Sequence, residues 1–264
     1  MTTTNFPKDG KALLTLERSS SSPIIYTVTF TGGETPDNRL THKFLDAILA
    51  ALEHVEQEWD RTLSDEEKKG GAALVTTGQI VEGAKFYSNG LDFENAISDP
   101  NFFDTHLNKV YEKLLSFPIP TVASIGGHAF AAGFGLAMAH DYRVFNGAKG
   151  YLSMNEIDFG AQIPPGLYAA LSSKMTSNVL MRKVVLEGHR FGAKEALAER
   201  IIDIIAPAQG EQGGAKKTLE VATELAKRVA PKARADCYGS NKLVMYFPYL
   251  EILRMKNEVA TGRL

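Results

Sequence analysis

The sequence predicts an α/β fold, and three observations carry that prediction. Apolar, strand-like runs alternate with segments of helical period, the pattern of a largely parallel sheet with crossover helices. One run, Thr121 to Ile125, passes through Gly126-Gly127 and a crowd of small residues into an apolar helix from Ala132 to Ala139. The chain has 264 residues, 44% of them hydrophobic, which is enough to bury a full core.

Taken in order, Ala12 to Glu17 and Ile24 to Thr31 read as two strands joined by the Ser19-to-Pro23 turn. After the turn-rich Gly32 to Asn38, the residues Leu45, Ile48, Leu49, Leu52 and Val55 recur at helical spacing and predict one buried stripe. Ser64 to Gly71 is a charged connector, and Ala72 to Thr77 is a buried strand. Lys85 to Asp92 reads as a polar, glycine-containing loop. A helix from about Asn101 to Phe117 follows, and Pro118 and Pro120 end it. Beyond the central strand, turn and helix, Asp141 to Phe145 predicts a short strand, and Tyr151 to Phe159 is strand-like. Ile163-Pro164-Pro165-Gly166 opens a helix with prolines where they are tolerated. Helical pieces then cover Leu167 to Leu186 and Ala193 to Glu199. Ile201 to Ile205 is a last strand, and helices at about Ala215 to Val229 and Asp236 to Val259 finish the chain.

Composition narrows the function classes. A net charge of −2 argues against a dedicated nucleic-acid binder. The segment from Lys232 to Leu264 carries six Lys or Arg against three acids, a local excess that could face a phosphate-bearing ligand. Cys237 is the only cysteine, so no intramolecular disulfide or cysteine-based metal cluster is expected. No secretory signal and no apolar run of about 18 residues is visible, which predicts an intracellular protein without a membrane span. Gly262-Arg263-Leu264 follows the small-basic-Leu pattern of a peroxisomal address.

Several chemistries lack their motifs. There is no Gly-x-Ser-x-Gly elbow and no His-Glu-x-x-His, and no metal site is expected. Gly133-Phe134-Gly135 lacks the third glycine of a dinucleotide fingerprint. Gly213 to Thr218 lacks the glycine before Lys-Thr that a phosphate loop needs.

Two backbone-rich turns remain, Ser88 to Asp92 and Ala131 to Gly135. A strand, tight turn and helix leave N–H groups unpaired at the helix start, where negative charge is favoured. If the two preceding strands are neighbours, both turns lie at one carboxyl edge, and one N–H from each could grip a single oxygen, such as a thioester oxygen becoming an enolate.

Three linked stretches then become specific. They are Lys85-Phe86-Tyr87-Ser88-Asn89-Gly90-Leu91-Asp92, the run Gly126-Gly127-His128-Ala129-Phe130-Ala131-Ala132-Gly133-Phe134-Gly135-Leu136-Ala137-Met138-Ala139-His140-Asp141, and Met154-Asn155-Glu156-Ile157-Asp158-Phe159-Gly160. In order and spacing they resemble the crotonase (enoyl-CoA hydratase/isomerase) superfamily over roughly Leu13 to Glu258, with most likeness to its monofunctional, peroxisomal-type 3,2-trans-enoyl-CoA isomerases.

The resemblance implies a crotonase-like ββα superhelix: a core of residues 1–200 holding a CoA-thioester site, and a C-terminal helical trimerisation region, 201–264. It implies an acyl-CoA substrate, no cofactor beyond the CoA that is part of that substrate, and a homotrimer or dimer of trimers. The oxyanion donors would be the N–H groups of Leu91 and Ala132. Many crotonases have glycine at the second position, and alanine keeps the donor. Enoyl-CoA hydratases use two glutamates, and at their positions this chain has Gly135 and Glu156. Moving a double bond from C3–C4 to C2–C3 needs one group to take a proton from C2 and return one to C4, which is a task for Glu156 alone.

Phe86, Ser88, Gly90, Gly133, Phe134 and Lys256 would surround the substrate, with Phe130 and Leu167 as core or acyl-pocket liners and Lys242 and Arg254 as further CoA contacts. Asp158, two residues from Glu156 along a strand, would share its face. Asp92 reads as a turn former capping the next helix, and His128 and His140 as structural. The alternatives are another CoA-thioester enzyme of this fold (hydratase, dienoyl-CoA isomerase, hydrolase or decarboxylase), a secondary-metabolism member, or a non-catalytic subunit.

Overall fold

The computed structural model describes residues 2–175, 177–208 and 210–256. Its frame is a seven-stranded sheet. Strands β1 (Thr2–Phe6), β2 (Leu14–Arg18) and β3 (Ile24–Phe30) run antiparallel, and β4 (Ala72–Thr77) joins β3 in parallel. A second sheet of three short parallel strands is ordered β5 (Phe86–Ser88), β7 (His128–Phe130) and β9 (Leu152–Ser153). The large sheet continues in parallel through β6 (Thr121–Ile125), β8 (Tyr142–Asn146) and β10 (Ile204–Ala206).

Helix α1 (His42–Gln57) forms where the 3.6-residue stripe predicts it, capped by the Thr41 hydroxyl, which accepts the Phe44 N–H at 3.1 Å. Ser64 and Glu67 make a reciprocal capping box around α2 (Asp65–Lys68), a single turn inside the predicted connector. Next come α3 (Phe93–Ser98), a π-helical turn (Phe103–Leu107), α4 (Asn108–Leu115), α5 (Ala132–Ala139), α6 (Pro165–Ser172), α7 (Asn178–Val185) and α8 (Ala193–Ala198). Helices α9 (Gly210–Val229), α10 (Tyr238–Met245) and α11 (Phe247–Arg254) complete the described chain.

Both faces of the central strands are covered, so β4, β6 and β8 are buried along nearly their whole length rather than at alternate residues. On one face, Leu74, Ala123 and Phe145 join the main core with α1, α4, α5 and α6. On the other, Ile25, Ala73, Val75, Val122 and Val144 meet Ala222, Leu225 and Ala226 of α9. Beyond the sheet, Trp59 is buried in the π-helical turn Glu58–Thr62 that follows α1.

The structure corrects four expectations. Lys85 to Asp92 holds a strand, β5, that pairs with β7. The helix expected from Asn101 is a π-helical turn followed by α4. The strand-like run Tyr151 to Phe159 ends at Ser153, and Glu156–Phe159 is a 3₁₀ turn closed by Gly160 in the left-handed region. The final helix is broken into α10 and α11, where Pro248 cannot donate to a continuing ladder. The part of that helix expected beyond Lys256, and Gly262-Arg263-Leu264, lie outside the described residues.

Candidate active site

The small sheet assembles the site. Its strands are parallel, so their carboxyl ends lie along one edge, and each end delivers one candidate group. β5 leads to Gly90 and Leu91, β7 to Ala131 and Ala132, and β9 to Glu156. The two turns touch. A Cβ built on Gly90 would lie 2.6 Å from Ala131 Cβ and 3.4 Å from the Ala132 nitrogen, and one on Gly133 would lie 2.5 Å from the Ser88 carbonyl oxygen. Glycine at 90, with φ +83°, and at 133 is what lets the two backbones approach.

Ala132 opens α5, and the first residue of a helix has no carbonyl one turn back to receive its N–H. Among the described residues neither the Ala132 nor the Leu91 N–H has an acceptor. Ala131 sits at φ 53°, ψ −129°, a conformation alanine rarely adopts, which aims the following amide away from the strand. The turns are held from below. The Leu40 N–H donates to the Gly90 carbonyl at 2.7 Å, and the Ser88 hydroxyl donates to the Asn38 carbonyl at 2.8 Å. Tyr87, Thr76 and His140 form a buried chain, with Oη to Oγ1 at 2.8 Å and Oγ1 to Nε2 at 2.9 Å. The His140 Nδ1 lies 2.8 Å from the Leu136 carbonyl, which only accepts, so Nδ1 carries the proton and Nε2 accepts from Thr76. Burial pushes the imidazole down to about 3, so it stays neutral.

Glu156 is 7% exposed, and its Oε2 has no hydrogen-bond partner among the described residues. Burial raises its carboxyl to about 7, opposed only by a hydrogen bond from its own backbone N–H. Tyr111, buried beneath α5, donates its hydroxyl to the Ala132 carbonyl at 2.7 Å. At Gly135 a Cβ would lie 2.3 Å from Leu167 Cδ1 and 2.7 Å from the Tyr111 hydroxyl. That space belongs to Tyr111 and Leu167, and a carboxylate side chain at 135 would have to displace both.

The remaining sequence candidates divide. Phe86 is half-buried and meets His128 at 5.2 Å between ring centroids. Ser88, Gly133, Phe134 and Leu167 are buried in the packing and shape the site from behind. Phe130 is half-buried. Asp92 occupies the N-cap position of α3 but accepts from the Asn95 side chain rather than from a helix N–H. Asp158 is exposed, because in a 3₁₀ turn the residue two positions on points away instead of sharing a face.

Lys242 is a correction. It is buried, with Nζ 2.9 Å from Asp141 Oδ1 and 2.7 Å from the Leu114 carbonyl, so it is unavailable to a phosphate. Arg254 pairs with Glu112 at 2.7 Å and Glu251 at 3.4 Å. Lys256 is exposed, on the rim of a cleft that also contains Tyr168, Val185 and Ile252.

Sequence reasoning missed Asn38 and Tyr111. Asn38, at φ 52°, donates its side-chain amide to the Phe86 and Tyr87 carbonyls at 3.3 and 3.1 Å. Its signal was the turn Pro36-Asp37-Asn38, since asparagine tolerates the left-handed region. Tyr111 carries no sequence signal beyond its place on a helix stripe.

Two open spaces lie along segments that flank these groups, and neither is lined by Glu156, Leu91 or Ala132 themselves. One, of about 640 Å³, lies between α3 and the segment after Glu156, lined by Phe93, Ile97, Phe103, Ile163 and Pro164. The other, about 1080 Å³, is a more open groove beside Phe86 lined by Arg39, Gln79 and Lys85.

The chain matches the family model for enoyl-CoA hydratase/isomerase over residues 24–236. It is 29% identical over 263 residues to enoyl-CoA delta isomerase 3 of Arabidopsis thaliana, covering 96% of this chain and 100% of that protein. It is 30% identical over 199 residues to the peroxisomal enoyl-CoA delta isomerase 1 of the same plant, covering 74% and 75%. Among solved structures it resembles an enoyl-CoA hydratase from Mycobacterium marinum with a TM-score of 0.75 at 21% identity, covering 94% of this chain and 98% of that one. A methylmalonyl-CoA decarboxylase shares the fold with a TM-score of 0.68 at 16% identity, covering 94% and 91%.

Proposed function

Because the chain belongs to the enoyl-CoA hydratase/isomerase family, we propose that it moves the double bond of a 3-enoyl-CoA to the 2-trans position with Glu156 as the only proton carrier. The observation that carries this reading is a single buried carboxylate, with one oxygen left without a partner among the described residues, at an edge where the place for a second one is filled by Tyr111 and Leu167. Adding water across a double bond benefits from two positioned groups, and a 1,3-proton shift needs one.

In the proposed reaction the Leu91 and Ala132 N–H groups receive the thioester oxygen. Glu156, ionised, takes a proton from C2. The electron pair delocalises through the C3–C4 double bond, and the charge rests on the oxygen as a dienolate that the two amides stabilise. Glu156 then gives its proton to C4, leaving the double bond at C2–C3 and the carboxylate restored. A carboxyl raised to about 7 suits both halves of this cycle. The acyl tail would enter the apolar space beside Phe93 and Ile97, and the CoA would lie along the groove at Phe86, Lys85 and Arg39. No bound cofactor is required.

The test offers wild-type protein 3-cis-, 3-trans- and 2-trans-enoyl-CoA. The expected result is conversion of a 3-enoyl substrate and no hydration of the 2-enoyl one, with Glu156→Gln losing about 10³-fold in rate. Efficient hydration, or a Gln variant within a few-fold of wild type, would overturn the reading. Service in β-oxidation is an extension of this reading, and the peroxisomal relative supports the compartment. A homotrimer would cover Val244, Met245 and Phe247, which α10 and α11 leave exposed, and light scattering would give its mass.

A further inference from the structure

Three elements away from the catalytic edge bring two histidines and a carboxylate together. His42 is the first residue of α1, Asp99 follows the last residue of α3, and His106 lies in the π-helical turn Phe103–Leu107. One donor atom from each lies within 4.8 Å of the other two. His42 Nε2 is 3.1 Å from Asp99 Oδ2, and the two imidazole rings meet edge to face at 4.9 Å between centroids. His106 Nδ1 is 2.6 Å from Asp46 Oδ1. The Phe102 ring closes the inner side at 4.7 Å from His42, and the outer side is open to solvent.

We infer that His42, Asp99 and His106 form a binding site for a divalent transition-metal ion, zinc by its donor set, that ties the start of α1 to the end of α3. Two imidazoles and a carboxylate are borderline ligands that suit zinc rather than magnesium or calcium, which take oxygen sets. Tetrahedral zinc at about 2.1 Å from nitrogen spaces its donors about 3.4 Å apart. The observed spacing therefore needs only small side-chain rotations, which half-exposed groups can make. Asp46 supplies the outer carboxylate that commonly orients a ligating histidine, and with Asp99 it offsets the ion's charge. A π-helical turn often marks a functional position, and His106 lies within one where its ring meets that of His42.

The site has a mechanical meaning. Leu40, two residues before His42, is bonded to the Gly90 carbonyl, and α3 begins just after Leu91. An ion at His42 and Asp99 would hold both ends of the segment 91–99, which forms a wall of the apolar space through Phe93 and Ile97.

The test uses chelator-treated, tag-free full chain without substrate, so it stands apart from the isomerase reading. Cys237→Ser removes the exposed thiol as a competing ligand. Zinc titration by calorimetry should give one site per chain and a rise in melting temperature. Cobalt substituted for zinc should show the ligand-field absorption of a tetrahedral nitrogen and oxygen site. His106→Gln and, separately, the near-isosteric Asp99→Asn should each weaken binding at least tenfold. His189→Gln, which alters a surface His–Glu pair elsewhere, should leave it unchanged. Equal zinc affinity in all these variants, or no stoichiometric binding to the parent protein, would overturn the inference and leave two ordinary His–Asp pairs.

Discussion

At Glu156 the requirements of stability and chemistry oppose each other. Its carboxyl holds a proton up to about pH 7 in the fold, against an ordinary value of 4.5. Between those values the folded chain binds more protons than the unfolded chain, so stability falls as pH rises through that window. The whole penalty, about 3 kcal/mol, is in force above about pH 7. Glu156→Gln should therefore be more stable than wild type by up to about 3 kcal/mol at pH 8 and gain nothing at pH 4, read from urea unfolding at the two pH values. The catalytic dependence has the opposite sign, since the base works ionised. The isomerisation rate should rise about tenfold per pH unit below about 7 and level off above it. A rate that is flat across that range would exclude Glu156 as the base. This residue was legible in the sequence through its motif. Its environment was not, because its burial and the oxygen left without a partner depend on distant segments such as α4, whose Tyr111 lies near it.

At the level of elements, the site depends on strands only two or three residues long. The sequence reading found the turns but missed β5 and β7 and extended β9 through Glu156. Such short strands have no room to display a period, and their pairing partners are distant in the chain. Their function is to place two turns in contact, and Gly90 tests that contact. Gly90→Ala would set a Cβ 2.6 Å from Ala131 Cβ at a backbone φ of +83°. The expected result is a loss of about 2 kcal/mol or more in stability and at least a hundredfold in isomerisation rate, as the amides of Leu91 and Ala132 are driven apart. Activity and melting temperature together measure it, and a variant that keeps wild-type rate would show that the two amides do not act on one oxygen.

Over the whole molecule, the C-terminal helices are fastened by charge as well as by packing. Asp141 accepts from Thr121 N–H at 2.9 Å and from Lys242, and the two partners are nearly inaccessible. Burial alone would raise the Asp141 carboxyl, but Lys242 and Lys174 draw it below its usual value, which keeps the carboxylate ionised, while burial lowers both ammonium groups. Lys174 also lies over the Tyr246 ring at 3.7 Å, joining the end of α6 to the break between α10 and α11. Removing one member of a buried pair leaves the other charge uncompensated. Lys242→Met should destabilise the fold by about 3 to 5 kcal/mol by urea unfolding. A loss below about 1 kcal/mol would mean that the pair is not a clamp.

What the sequence by itself determined is local. Helical stripes, buried runs, glycines at tight turns and three linked motifs need only near neighbours to be read, and they led to the fold class, the two turns and Glu156. Lys242 shows where this stops. A basic residue in a basic segment read as a phosphate contact, and only the packed chain reveals that Asp141, about a hundred positions earlier, holds it. Tyr111 at Gly135, Asn38 beneath Phe86 and His42 beside His106 are likewise meetings across long stretches of chain. Tertiary structure decided them, because burial and partnership are set by which distant surfaces share one enclosed space, and no local pattern records that.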